Sequence, residues 1–340
     1  MKARTIEIAG GGIAGLALAG ALARRGVAVC LHEAGSYPRH RLCGEFLNGV
    51  GESTLHALGL STLFSDALCH REMVWFIGEK KVAQSALGRP VRALSRWEMD
   101  RRLVAWAREQ GAEVHERSRL VAEPREGLVW AAGRFLQKDS SWLGLKAHYQ
   151  GLKLSAGLEM HLGSAGYLGL TPVEDGRVNV CGLFHRQRGV QGKGSALLEN
   201  YLQVNGLTGL GQRLQAAEAD ESSLTGVSGL RFGSQSHPPD LLTLGDSERI
   251  VPPFTGNGMS MALEAAESAL GPLSRYAGGD CSWAEARQAV RSLLAKRFSH
   301  RLTLARGLHS VLLHPLGRCS LAWAARSRCL PIATLNQLLT

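Results

Sequence analysis

Near its start the chain reads Ala9-Gly10-Gly11-Gly12-Ile13-Ala14-Gly15, and no other stretch restricts its fold as strongly. Two short apolar runs flank it, Thr5–Ile8 and Val27–Leu31, and Glu33 follows the second. Strand, glycine turn, helix, strand and acid in that order predict a βαβ unit that opens a dinucleotide-binding domain. Gly10 allows a tight turn out of the strand, Gly12 lets the backbone approach a pyrophosphate, and Gly15 lets the helix pack close to the sheet. The helix start at Ile13 and Ala14 turns free N–H groups and the positive end of the dipole toward phosphate. Glu33 is placed to accept from ribose hydroxyls. Taken alone, this motif leaves NAD and FAD both open.

Leu244-Gly245-Asp246, then Pro252-Pro253-Phe254-Thr255-Gly256-Asn257-Gly258-Met259, is a second strong signal. A strand ends in an acid, a loop follows, and a helix opens on glycines. Asp246 at a strand end can accept from the hydroxyls of a ribityl or ribose chain. Helix N–H groups over 256–259 can stabilise negative charge on a flavin ring near its N1 and C2 oxygen. This adds Gly245, Asp246, Gly256, Asn257, Gly258 and Met259 to the candidate cofactor contacts and favours FAD.

Between the two motifs the pattern changes. Helical periodicity runs from Arg96 to Gln110, and a hairpin is expected over Met73–Ala83. Alternating stretches at 143–149, 157–162, 167–170 and 178–183 read as an antiparallel sheet, with helices at 194–203 and 207–217. The expected fold class is therefore α/β, a Rossmann-like FAD-binding domain with an inserted antiparallel β-sheet substrate domain and C-terminal helices. Residues 1–70, 91–140 and 238–290 form the discontinuous nucleotide domain in this reading. Residues 71–90 and 141–237 form the substrate domain, and 291–340 the basic C-terminal helices.

Composition narrows the class further. With 340 residues, 45% hydrophobic and 20% charged, the chain can bury the core of a two-domain enzyme. Seven cysteines lie scattered without a CxxC pair, and twelve histidines include no HExxH spacing. That predicts reduced thiols in a cytoplasmic setting and no metal site. Neither a secretion signal nor an apolar run long enough to span a bilayer is expected. The net charge of +10 is concentrated at the end, since 291–340 holds eight Lys/Arg and no acid, with leucines interleaved. A helical pair with a solvated basic face accounts for this. So does an amphipathic surface for anionic lipid or an acidic carrier. No nucleic-acid-binding motif accompanies the charge.

The chain resembles the FAD-dependent oxidoreductases of the aromatic-hydroxylase-like fold, in particular the geranylgeranyl-reductase-like branch of that monooxygenase superfamily. Four stretches carry the resemblance: the glycine motif with Glu33; Pro38-Arg39-His40-Arg41-Leu42-Cys43-Gly44-Glu45-Phe46-Leu47; Ser95-Arg96 before a helix with Asp100 and Leu103; and Gly245-Asp246 through Gly258. It implies bound FAD and a β-sheet lid over a substrate cavity. It implies that Glu33 meets the adenosine ribose, Arg96 the pyrophosphate region, and Asp246 the ribityl chain, with Arg41 a further candidate cofactor contact. Cys43 to Phe46 would then lie near the isoalloxazine. The chain departs from the family at Ala132-Gly133, where an acid–glycine pair is usual. It departs again at Ser247-Glu248-Arg249, where small residues follow the Gly-Asp pair, and segment 118–133 is short. There is no second GxGxxG for a separate NAD(P) domain, and no Trp-x-Trp-x-Ile-Pro element of flavin halogenases.

Candidate catalytic residues are Cys43 and Glu45 in the loop, with Lys146 and His148, two apart on a predicted strand and so on one face. Facing the cavity, they could orient a polar head or donate a proton; facing solvent, they would do neither. The activity these features predict is that of an FAD-dependent oxidoreductase on a hydrophobic small molecule. It would reduce a carbon–carbon double bond or monooxygenate, with NAD(P)H as candidate electron donor. A membrane-surface flavin electron-transfer or quinone-linked protein, and a non-catalytic FAD-fold binding protein, are the alternatives.

Overall fold

The structure, a computed structural model, describes residues 4–135, 141–313 and 317. The chain opens with β1 (Ile6–Ala9), α1 (Ile13–Ala23) and β2 (Val29–His32), followed by β3 (Phe46–Leu47) and α2 (Glu52–Leu58). A long hairpin, β4 (Leu68–Ile77) and β5 (Lys80–Ala93), precedes α3 (Arg96–Glu109), β6 (Glu113–His115) and β7 (Leu128–Trp130). Next come β8 (Trp142–Gln150), β9 (Leu158–Leu162), β10 (Gly166–Pro172), β11 (Arg177–His185), α4 (Ser195–Val204), α5 (Thr208–Gln215) and β12 (Glu218–Ser228). The chain then returns through β13 (Gly233–Ser234), β14 (Leu242–Thr243), β15 (Arg249–Ile250), α6 (Gly258–Gly278) and α7 (Trp283–Leu313).

Among the described residues one sheet is parallel, in the order β14-β7-β1-β2-β6. Helix α1 lies beneath it and is buried on all sides from Ile13 to Leu22, because α3 and α6 pack on it opposite the sheet. A side chain at Gly15 would overlap the Gly10 carbonyl oxygen, and one at Gly20 the Trp106 ring. Small residues thus set the spacing of helix against strand and helix against helix.

The second sheet has the order β12-β8-β11-β10-β9-β4-β5-β3. It is not antiparallel throughout, as the sequence pattern suggested, for β4 pairs with β9 in parallel. Between these two strands the chain completes β5, leaves for α3, β6 and β7, and re-enters the sheet with β8, which runs in the same direction as β5 and so starts at the opposite end. Strict alternation gives this sheet two different faces. Leu145, Ala147, Tyr149, Leu168, Leu170, Val180 and Phe184 pack under α4 and α5. The opposite face, with Met160, Tyr167 and Leu183, turns toward the parallel sheet.

The expected boundary at 291 falls inside α7. Ser282 and Glu285 form a capping box, each side chain bonding the other's backbone N–H, and this starts the helix at Trp283. Three of its basic residues are used internally. Arg297 pairs with Glu267 at 2.8 Å, Arg301 with Glu264 at 2.6 Å, and Arg291 donates to the Leu241 carbonyl at 3.0 Å. Arg318, Arg326 and Arg328 lie outside the described residues. Among the described residues no helix is long and apolar enough to cross a membrane.

Candidate functional site

A cavity of about 760 Å³ lies outside the carboxyl ends of the parallel strands, between them and the second sheet. Ligands of open α/β sheets bind in this place, where the strand order reverses on either side of the first strand. Its nucleotide end is lined by Gly10, Gly12, Ile13, Ala14, Glu33 and Asp246. Gly10 takes φ of 102°, and a Cβ there would run into the backbone of Ala131 and Ala132. A Cβ on Gly12 would meet nothing within 4 Å, so the open space lies on the cavity side. Gly245, at φ of 62°, sits against the Ala14 side chain, which brings the two sequence motifs into contact.

Glu33 is buried and accepts from the N–H groups of Gly11 and Gly35, both at 2.8 Å, and from Arg39 at 2.8 Å. Burial pushes its carboxyl up, but the Gly35 N–H, Arg41 and Arg39 outweigh that and hold it low. Two cavity-lining guanidinium groups share one buried acid: Arg41 reaches Asp100 at 2.6 Å and Arg96 at 2.8 Å. Arg41 also donates to the Gly11 carbonyl of the glycine turn at 3.3 Å, while Arg96 stands beside Cys43. Asp246 is exposed to the cavity yet hemmed in by protein, and this desolvation raises its carboxyl against the pull of Arg96 and Arg134.

The two departures from the family pattern meet in space. Ser247 donates from its hydroxyl to the Gly133 carbonyl at 2.6 Å. Glu248 turns away from the cavity to Thr243 and to His237, 3.4 Å distant. Neither closes the nucleotide end.

The Cys43–Phe46 loop forms the waist of the cavity. Cys43 lines it, beside Arg96 and Cys181, and burial raises its thiol pKa. The Asn179 amide holds the Cys43 carbonyl at 2.9 Å. Phe46 presses its ring on Gly256, which takes φ of 67°, and so ties this loop to the start of α6. Asn257 precedes that helix and Gly258 opens it, with Met259 next; Gly256, Gly258 and Met259 line the cavity.

Glu45 does not face the cavity. Its backbone takes φ of 58°, a conformation unfavourable for a residue with a Cβ, and this turns the side chain inward. The carboxylate meets Lys146 Nζ at 3.0 Å, His148 Nε2 at 2.6 Å and the Arg96 N–H at 2.9 Å. Lys146 and His148 do project from one face of β8, the face away from α4 and α5. They are fully buried there under Glu45 and are neither at the cavity wall nor in solvent. The expectation that Glu45, Lys146 and His148 touch a ligand is thus corrected: they form a closed charged cluster behind the wall. Desolvation of Glu45 is outweighed by the His148 hydrogen bond and the Lys146 charge, so its pKa is lowered. Lys146 also lies 3.3 Å from His40 Nδ1, and burial plus that charge push His40 down to about 4.

The far end of the cavity is apolar. Met160, Tyr167, Leu183, Leu230, Phe232 and Phe254 line it. Tyr167 stands edge-on to Phe254 with ring centres 6.1 Å apart. His309 of α7 packs behind these rings, 5.0 Å from Phe232 and 6.0 Å from Phe254, and burial lowers its pKa to about 4. Sequence reasoning missed Asn179, Arg134 and His309. The register Tyr167↔Leu183, Gly169↔Cys181 and Thr171↔Asn179 puts Tyr167, Cys181 and Asn179 on one face, and that pairing is invisible until the strands are aligned.

Residues 2–149 match a family described as an FAD binding domain. No curated protein matches the chain by sequence. Among solved structures the chain is similar to a p-nitrophenol 4-monooxygenase from Pseudomonas putida (TM-score 0.77, 14% identity, covering 100% of this chain and 97% of that one). It is also similar to the flavin-dependent brominase Bmp2 (0.75, 16%, 99% and 93%). A geranylgeranyl bacteriochlorophyll reductase-like protein from Thermoplasma acidophilum is likewise similar (0.74, 19%, 95% and 92%). The chain therefore has the fold that these three proteins share, and residues 2–149 carry the FAD-binding match.

Proposed function

We propose that the chain is an FAD-dependent oxidoreductase acting on an apolar small molecule, by monooxygenation or by reduction of a carbon–carbon double bond. The observation that carries this reading is one continuous cavity, glycine-lined at one end and aromatic at the other. The residues fit FAD. Gly12 and Gly258 have open space where a side chain would project, and α1 and α6 each start without a side-chain cap. Glu33 and Asp246 provide acceptors for hydroxyls, and Arg41 and Arg96 provide positive charge between them. When bound, a flavin supplies hydride or oxygen chemistry.

What the chain's own residues do is position and exclude. Asp100 fixes both guanidinium groups, so their charge is preorganised rather than recruited on binding. The buried Glu45 cluster holds the loop whose Cys43 forms the waist. Tyr167, Phe232 and Phe254 offer ring faces to an apolar substrate and keep water from it. NAD(P)H as electron donor is part of this proposal; without a second glycine motif it would have to reach the same cavity.

The test is direct. Purified protein is expected to take up FAD and turn yellow. Offered apolar aromatic and polyprenyl compounds with NAD(P)H, it is expected to turn over at least one of them. A product that carries oxygen and forms only in air assigns monooxygenation; loss of a double bond under nitrogen assigns reduction. Protein that takes up no FAD would sink the proposal.

A further inference from the structure

The parallel register of β2 and β6 pairs Cys30 with Glu113 and His32 with His115. Residues directly opposite, and those two apart, share a face of a sheet. A Cys-x-His and a Glu-x-His therefore meet on the face away from α1 and α3. Donor atoms of Cys30, Glu113 and His115 all lie within 4.8 Å of one another. His32 Nε2 is 3.2 Å from the Cys30 sulfur, and the His32 and His115 rings stack at 5.1 Å.

We propose that Cys30, Glu113 and His115 bind a borderline divalent cation of the Zn²⁺ class on this face, with His32, whose Nε2 lies beside the Cys30 sulfur but outside that three-residue group, closing in as fourth ligand when the ion binds. The donor set is one thiolate, two imidazoles and one carboxylate, which such an ion favours in four-coordinate sites. Tetrahedral Zn–S and Zn–N bonds of ≈ 2.3 and ≈ 2.0 Å place sulfur and nitrogen about 3.5 Å apart, close to the separation here. Ser118 supplies an outer partner. Its hydroxyl lies 2.8 Å from His32 Nδ1; with that nitrogen protonated, Nε2 presents its lone pair to the site. Glu7 lies 3.5 Å from His32 but is neutralised by Arg125, so the ion would meet the charge of one carboxylate and one thiolate. Cys30 is half-buried, and Glu113 stands at the surface, which gives an entry path.

The other His/acid group, His40, His148 and Asp220, makes the contrast. There the Lys146 ammonium lies 3.3 Å from His40 Nδ1, occupying the lone pair and adding positive charge. No cation is proposed at that place.

Four protein ligands leave no open position, so the ion is structural, stapling the edge strand β6 to β2. As the metal–sulfur bond forms, the Cys30 thiol gives its proton to solvent, so one proton leaves per ion bound.

Full-length protein, stripped with a chelator and titrated with Co²⁺, tests this with or without FAD. One equivalent is expected to give a sulfur-to-cobalt charge-transfer band, d–d bands beyond the flavin absorption, and release of one proton. Cys30→Ser is expected to abolish the charge-transfer band. His115→Ala and Glu113→Gln are expected to weaken affinity at least tenfold, and Cys69→Ser, at an exposed thiol, to change nothing. Failure to saturate, or a band that survives Cys30→Ser or disappears with Cys69→Ser, overturns the proposal. Should Cys30→Ser not fold, alkylation of the unmutated protein decides: Zn²⁺ must protect Cys30, and equal labelling with and without it is equally fatal. FAD uptake is scored separately, so failure here leaves the oxidoreductase reading untouched.

Discussion

At the nucleotide end of the cavity the wall is mostly backbone, and at the sheet end it is mostly side chain. Gly10, Gly12 and Gly15 shape the first end by having nothing beyond Cα, within one short run of sequence. Met160, Tyr167, Leu183 and Phe254 shape the second from three strands and a loop. The difference predicts how each end fails. Side-chain additions break the first, and side-chain removals break the second.

The largest effect is expected at Gly15. A Cβ there would overlap the Gly10 carbonyl oxygen, which is backbone and cannot step aside. Gly15→Val is expected to cost more than about 4 kcal/mol, the range reserved for overpacked or strained core sites, and to leave no folded protein in a thermal melt. A variant that melts normally would show that this end has slack.

Glu45 comes next, at the joint between the two ends. Glu45→Ala leaves Lys146 and His148 buried with their shared acceptor gone. Breaking a buried pair by removing one partner costs about 3–5 kcal/mol. Urea unfolding measures it, and Lys146→Met in the same background is expected to recover part of the loss. No recovery would mean that Glu45 acts through its unusual backbone rather than its charge.

Gly12 sharpens the comparison, because there the space is open. Gly12→Val is expected to fold normally and to lose FAD affinity about 100-fold, near 2.8 kcal/mol at 1.4 kcal/mol per tenfold. Flavin fluorescence titration beside a melt separates the two quantities. Equal FAD affinity in the variant would place the phosphates elsewhere.

The same contrast explains what could be read from the residues alone. The glycine turn, Glu33 and the Gly245-Asp246 to Gly258 segment were legible because each is contiguous and its φ angles or missing side chains have one physical use. Lys146 and His148 were legible as a pair on one face, since strand alternation guarantees it. That Glu45 would cover them was not, because it depends on a left-handed backbone at a residue whose type disfavours it. Cys30 reads as one of seven scattered cysteines, and His32 and His115 as histidines without HExxH spacing. Their meeting depends on β6 lying beside β2, although α2, the β4–β5 hairpin and α3 intervene in the chain.

The smallest effect is at the sheet end and is read against pH. His309 is lowered from 6.5 to about 4 by burial among aromatic rings. The unfolded chain takes up that proton near pH 6.5 while the folded one resists until about 4. Between those values the unfolded state binds more protons, so stability rises with pH across the window. The contribution is complete above the unfolded value and is lost as the solution is acidified toward 4. His309→Phe keeps the ring contacts with Phe232 and Phe254 and removes the titration. Its melting temperature is therefore expected to fall less steeply from pH 6.5 to pH 4 than that of the unmutated chain, with FAD affinity unchanged at neutral pH. Parallel pH profiles for the two proteins would show that His309 reaches solvent, and the sheet end would then be wetter than its aromatic lining implies.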